Sequence, residues 1–225
     1  QVFGGGPTSL EAVELTFGYE GKLLLLDRIN FTIQPNETIA IVGETGSGKT
    51  SLVNIITGLL TPISGTLLVN GQSLATMDMQ RWRSRIAYIT QEPILFNDTI
   101  FNNVTLWAPP TMDNKSKCKA ALSKAQLLEW GESVGLDANI GSYGVDMSGG
   151  QRQRLAIARE LYKDFDLIIF DEATSALDEA TEQAIQEQLE YLKGKCIQII
   201  IAHKPKTIAS VDRVLQVANQ KVITV

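Results

Sequence analysis

The sequence predicts an α/β fold. Three observations carry that expectation: short apolar runs at Thr38–Val42, Leu167–Phe170 and Cys196–Ala202, helical patterns between them, and a glycine-rich loop joining the first run to a helix. Apolar runs of this length suit strands buried on both faces. Their alternation with helices is the pattern of an α/β core.

The elements follow in order. Gly4-Gly5-Gly6-Pro7 reads as a linker, which sets residues 1–9 apart from one domain over 10–225. Leu10–Phe17 and Leu23–Ile33 are rich in apolar and β-branched residues, broken by Gly18 and by Glu20-Gly21, and read as strands. Thr38–Val42 is a buried strand, and Thr50–Leu60 is the helix after the glycine loop. Gly65–Val69 with Asn70-Gly71 starts a hairpin. Arg81–Ile89 leads into a mostly helical middle. Leu122, Ala125, Leu127 and Leu128 keep partial helical spacing, and Asn97–Tyr143 has little strand character, so a helical insertion is expected there. A helix follows Gly150, with Arg152, Arg154 and Arg159 expected as a solvated or ion-paired face. Asp178–Leu192 reads as an amphipathic helix with Asp178 as N-cap, and Val214–Val217 and Lys221–Val225 close with β character.

Composition narrows the function. Twenty Lys and Arg against 25 Asp and Glu leave a net charge of −5, which disfavours nucleic acid as a partner. The apolar stretches Leu23–Leu26 and Ile199–Ala202 are far too short to span a bilayer, and no signal peptide is visible. Cys118 and Cys196 stand 78 residues apart beside a single histidine, so a zinc site and a disulfide framework are not expected. The chain starts at Gln1 and stops in a strand-like run, as expected of a piece cut from something longer.

Gly43-Glu44-Thr45-Gly46-Ser47-Gly48-Lys49-Thr50 matches GxxxxGK[ST] between a strand and a helix. The glycines let backbone N–H groups curl around phosphate oxygens, and the helix start adds a favourable partial charge. Lys49 supplies a full charge to the β- and γ-phosphates. A charge pair near a surface at ~4 Å is worth about 4 kcal/mol, against roughly 0.3–2 for a helix end, so the lysine dominates. The Thr50 hydroxyl can ligate Mg²⁺.

Leu167–Phe170 ends in Asp171-Glu172. An acid ending a buried strand beside the loop can hold Mg²⁺, and the next can polarise an attacking water; an ordinary strand leaving the core has the same look. Ser148-Gly149-Gly150-Gln151 opens a second helix. It reads as a second anion-binding helix start or as a tight turn with an N-cap. One nucleotide needs only one such loop.

Together these residues resemble the nucleotide-binding domain of an ABC transporter. Gly43–Thr50 is similar to Walker A and Leu167–Asp171 to Walker B, while Met147–Gln151 is similar to the LSGGQ signature with Met in place of Leu. Gln91 resembles the Q-loop residue, Ser175–Asp178 the D-loop, and His203 the switch histidine. Tyr19, 24 residues before Gly43, falls where the family has an adenine-stacking aromatic. The resemblance implies a P-loop NTPase core with a mixed sheet. An N-terminal antiparallel β subdomain and a helical subdomain, about 92–160, carrying the signature would accompany it.

It also implies ATP and Mg²⁺ as cofactors and two domains stacked head to tail, as a homodimer or with a related half. Gly43, Thr45, Gly46, Ser47, Gly48, Lys49, Thr50 and Ser51 would hold phosphates, and Tyr19 would stack on adenine. Thr50, Gln91 and Asp171 would serve Mg²⁺. Glu172 would be the general base, assisted by Gln91 and His203. Ser148, Gly149, Gly150 and Gln151 would reach the partner's γ-phosphate, and Asp178 would cross the interface. Each has a plainer alternative: Tyr19 as a packed edge aromatic, Gln91 as a solvated loop residue, His203 as a structural histidine and Asp178 as only a helix cap.

Gln91–Ile100 resembles the exporter type, in which this domain follows a fused transmembrane domain at the cytoplasmic face of a plasma or inner membrane. Asn139–Gly144 keeps the glycines of the exporters' TxVGExG stretch, but Ser142 stands in place of the acid. The rival is a soluble ABC ATPase of DNA repair or translation, which the acidic balance and Gln91–Ile100 disfavour.

Overall fold

The computed structural model describes residues 8–21, 23–90, 92–141, 144–171, 179–201 and 208–225, with the backbone alone at 179–181 and 183–185. The described chain divides into two compact units. The first holds the residues up to Ile86, those from Phe165 to Asp171, and those from Leu192 onward; the second holds Ala87–Asp164 and Glu179–Tyr191.

The first unit contains two sheets. β1 (Leu10–Gly18), β2 (Leu24–Ile33), β4 (Ser64–Val69) and β5 (Gln72–Ser73) form an antiparallel sheet in the order β2-β1-β4-β5. The hairpin expected at Asn70-Gly71 is present, and both residues take positive φ, 50° and 77°, as a two-residue turn between twisted strands requires. One face of β1 is buried through Leu10, Ala12, Leu15 and Phe17.

Five strands of the second sheet run in the order β10-β9-β3-β8-β7, with β3 (Thr38–Val42), β7 (Leu167–Asp171), β8 (Ile197–Ile201), β9 (Arg213–Ala218) and β10 (Lys221–Thr224). β3, β7, β8 and β9 are parallel, and β10 returns antiparallel, so this sheet is mixed. Ile39, Ala40, Ile41, Leu167, Ile168, Ile169 and Ile199 are fully buried. Burial on both faces is why these strands lack polar alternation.

Helix α1 (Lys49–Ile56) follows β3. It is shorter than the Thr50–Leu60 pattern suggested. Gly58 takes φ 72°, and the N–H groups of Leu59 and Leu60 both turn back to the Asn54 carbonyl at 2.8 and 3.0 Å. A left-handed glycine just past the last turn stops a helix whatever apolar residues follow. Arg81–Ile89 resolves into α2 (Met79–Ser84), capped by the Asp78 carboxylate, and β6 (Ile86–Ile89), where the chain passes from the first unit to the second.

The second unit is helical, as expected of the insertion: α3 (Ile100–Thr105), α4 (Met112–Lys124), α5 (Leu128–Val134), α6 (Gly149–Tyr162) and most of α7 (Glu179–Leu192). Outside β6, its described extended pairing is limited to the isolated bridges Thr99–Asn139 and Ile140–Val145. Cys118 and Cys196 are buried free thiols, pushed up by burial to about 11 and about 12.

Candidate functional site

The parallel strands bring the candidate residues of the first unit to one sheet edge. Ile41 pairs in register with Ile201 of β8, and Ile201 pairs with Asp171 of β7. The glycine loop after β3 and Asp171 at the end of β7 therefore both emerge at the carboxyl ends of the parallel strands. β8 lies between β3 and β7, so Asp171 is two strand spacings from β3, roughly 10 Å, rather than on the adjacent strand.

In the loop, Gly46 and Gly48 take φ 81° and 108°, conformations that side chains resist. Gly43 is required for a different reason: a Cβ there would stand 2.4 Å from the Val217 carbonyl oxygen of β9. Gly48 is the N-cap of α1 and offers the helix start no side-chain acceptor. Lys49 is only 6% exposed, and its ammonium folds back to donate to the carbonyls of Gly43 and Glu44, each at 3.0 Å. The Ser47 hydroxyl is buried without a hydrogen-bond partner. Such a group costs roughly 1–3 kcal/mol, which a ligand oxygen would recover. An uncapped helix start, a clamped ammonium and an orphaned hydroxyl fit a phosphate chain.

Thr45 and Thr50 are exposed, and Ser51 is buried. The Ser51 hydroxyl meets the Tyr19 hydroxyl at 3.2 Å, and the Tyr19 ring rests edge-on against Phe17 with centroids 5.1 Å apart. The aromatic singled out by the family resemblance is thus tied to the first turn of α1, with 43% of it exposed. A cavity of about 370 Å³ is lined by Gly43–Ser47 and by Gln216–Asn219 of β9 and the turn after it. This second wall comes from a strand more than 160 residues away in the sequence and carries no motif of its own.

Among the described residues no group of three or more His, Cys, Asp or Glu side chains gathers. The described oxygen donors for Mg²⁺ are Thr50 and Asp171. Mg²⁺ commonly combines one or two carboxylates with substrate phosphates and waters, so this sparse set fits it. Gln91, Glu172, Asp178 and His203 lie outside the described residues, as do Ser142 and Tyr143.

In the second unit Ser148 caps α6. Its Oγ accepts from the Gln151 N–H at 3.2 Å, and Gln151 Oε1 accepts from the Ser148 N–H at 2.9 Å, completing a capping box. Ser148 and Gly149 are exposed, while Met147 is buried. Arg159 differs from the solvated face expected of it. It donates to the carbonyls of Asn103 and Ile94, each at 2.7 Å, and burial pulls its ionisation below the usual arginine range. Helical spacing placed it with Arg152 and Arg154, and only the packing of residues 94–103 separates them. Trp82 is fully buried, its indole N–H on the Ile56 carbonyl at 3.0 Å, whereas Trp107 is 54% exposed.

A glycine loop closing on a lysine between a parallel strand and a helix defines a phosphate-loop nucleotide-binding protein. Comparison with known proteins narrows the class. The ABC transporter family model matches residues 26–175. The chain is 41% identical over 220 residues to an ATP-dependent lipid A-core flippase of Burkholderia orbicola (strain AU 1054), covering 97% of this chain and 36% of that protein. It is 39% identical to the flippase of the same name from Ralstonia nicotianae (strain ATCC BAA-1114 / GMI1000), covering 97% and 37%. Among solved structures, a bacterial Atm1-family ABC exporter with ATP bound matches with a TM-score of 0.86 at 30% identity, over 97% of this chain and 38% of that one. The chain belongs to the ABC transporter family. It spans little more than a third of the length of these relatives, none of which is named for DNA repair or translation.

Proposed function

We propose that this chain is the ATP-binding and ATP-hydrolysing domain of an ABC exporter, powering export of a substrate across a membrane through ATP-driven head-to-tail dimerisation. The observation that carries the reading is the phosphate loop: Lys49 clamped beneath an uncapped helix start, with the Ser47 hydroxyl unsatisfied. The ATP-dependent flippases and the ATP-bound exporter among its relatives support it.

In this reading Lys49 leaves the Gly43 and Glu44 carbonyls for the β- and γ-phosphates, and loop N–H groups take the remaining oxygens. Tyr19 stacks on adenine. Thr50, Asp171 and Gln91 would hold Mg²⁺, which would offset the charge of the phosphates. Glu172 accepts the proton of the attacking water, with Gln91 and His203 lining the γ-phosphate. Ser148 to Gln151 close on the nucleotide of a second copy or a related half, and Asp178 crosses that interface. An isologous pair forms both sites at once. Hydrolysis removes the shared γ-phosphate contacts and shifts the population back to the open state.

The partner domain is transmembrane and fused ahead of this chain in the full transporter, which sets the domain at the cytoplasmic face of a membrane. The relatives' greater length supports that arrangement. No helix among the described residues is long and apolar enough to cross a membrane.

Phosphate release from Mg-ATP tests the reading. Glu172→Gln should keep ATP affinity and lose turnover by roughly 10²–10⁴-fold, the contribution of a positioned general base. Unchanged turnover would remove Glu172 from that role, and no release by the unaltered chain would refute the ATPase reading.

A further inference from the structure

Helix α1 is finished at its far end by residues of another helix. Its own chain satisfies part of that end: the N–H groups of Thr57, Gly58 and Leu59 turn back to the carbonyls of Val53, Ile55 and Asn54. Two further carbonyls go to α2. The Trp82 indole N–H donates to Ile56 at 3.0 Å, and the Arg83 guanidinium donates to Gly58. Trp82 is fully buried, and a buried indole N–H is costly unless it is bonded. The last turn of α1 carries no basic residue, so Arg83 brings the cation that a helix end favours.

The same short segment also grips β7. Arg85 forks onto Asp166, with Nε donating to Oδ2 at 3.0 Å and Nη2 to Oδ1 at 2.5 Å. The Arg85 carbonyl accepts the Asp166 N–H at 2.9 Å. Asp166 immediately precedes β7, which ends at Asp171. Residues 82–85 are therefore bonded both to the end of the helix that starts at Lys49 and to the start of the strand that ends at Asp171.

α1 has eight residues and is about 12 Å long. Its start has no side-chain cap, and Lys49 bonds to carbonyls of its own loop. Leu52, Val53, Ile55 and Ile56 pack its buried face, but apolar contact is non-directional and resists sliding along the axis weakly. Directional bonds at the far end are what fix that slide.

We propose that Trp82, Arg83 and Arg85 are positioning residues for the Mg²⁺ site. They bracket α1 against β7 and so hold Thr50, on the helix, in register with Asp171, on the strand. Mg²⁺ demands near-ideal octahedral geometry, so a slide of α1 that the long Lys49 side chain can follow still weakens the hold on the ion. The proposal rests on the reading of Thr50 and Asp171 as residues that serve Mg²⁺.

Titration of the chain with a non-hydrolysable ATP analogue, with and without Mg²⁺, tests it. The quantity read is the gain in affinity on adding the ion. Trp82→Phe keeps an aromatic ring and removes the N–H, and Arg85→Lys keeps the charge and loses the fork. Each should cut the gain by about fivefold while the affinity without Mg²⁺ stays within about twofold. A merely structural contact would lower the melting temperature and leave the gain where it was. In an Asp171→Ala background neither substitution should lower the remaining gain further. If Asp171→Ala lowers the gain but the two substitutions leave it intact, or multiply with Asp171→Ala, the bracket is overturned and the reading of Asp171 stands. If Asp171→Ala itself leaves the gain unchanged, both fall. Should Trp82→Phe fail to fold, Arg85→Lys runs the same cycle with the same outcomes.

Discussion

The helix starts at Lys49 and at Gly149 are both glycine-rich turns, and they are finished in opposite ways. At α1 the N-cap is a glycine with no acceptor to offer, and the nearest cation is occupied by its own loop carbonyls. At α6 a serine and a glutamine close a capping box that satisfies the N–H groups of Ser148 and Gln151. The first start is incomplete without a ligand. The second carries a cap of its own, which engages the Ser148 and Gln151 N–H groups and leaves the Ser148 O–H outside the capping box. The contrast suits a protein that holds its nucleotide on one surface and lends the other to a partner's nucleotide.

The largest expected effect falls on the incomplete start. Lys49→Ala should weaken ATP binding by near a thousandfold, the equivalent of about 4 kcal/mol for a charge pair near the surface, as read by titration calorimetry. A loss below tenfold would mean that the loop N–H groups do the holding. At the capped start, Ser148→Asp separates the two uses of the serine. Aspartate caps as well as serine and suits the positive helix end, so the melting temperature should hold. Its charge opposes an incoming phosphate, so ATP-driven pairing should be lost while ATP binding to the monomer persists. Pairing that survives Ser148→Asp would leave the serine with capping alone.

Ser148→Ala removes the cap and should cost about 1 kcal/mol, or roughly 2–4 °C in melting temperature. Gly48→Ala, placed at φ 108°, should lower stability without removing any ligand contact, a loss of about 1–2 kcal/mol read by denaturant unfolding. The smallest effect concerns the thiols. With Cys118 near 11 and Cys196 near 12, both remain protonated at neutral pH, and a maleimide should label neither until the chain unfolds.

The local parts of this arrangement were legible in the sequence. The phosphate loop, the buried strands around it and the Ser148 cap are each written in contiguous residues, because turn chemistry and short apolar runs act locally. What depends on packing was not. The order β3-β8-β7 puts the most C-terminal of the three strands in the middle, and nothing within Leu167–Asp171 or Ile197–Ile201 encodes that order. The wall supplied by Gln216–Asn219 reaches the loop only through the pairing of β9 with β3. Arg159 looked like one of three surface arginines, since helical spacing alone does not tell solvent from a buried carbonyl. The early end of α1 could have been read from Gly58, but Leu59 and Leu60 extend the apolar pattern past it. Tyr19 stands out in the sequence only through the family resemblance, and its tie to Ser51 only through geometry.

The central claim is that one chain's phosphate loop and another's Ser148 turn complete a single site. Light scattering on the Glu172→Gln chain with and without Mg-ATP tests it most directly. The account predicts a monomer that becomes a dimer only when ATP is present. A chain that stays monomeric at saturating ATP, or that dimerises equally without it, would contradict the claim.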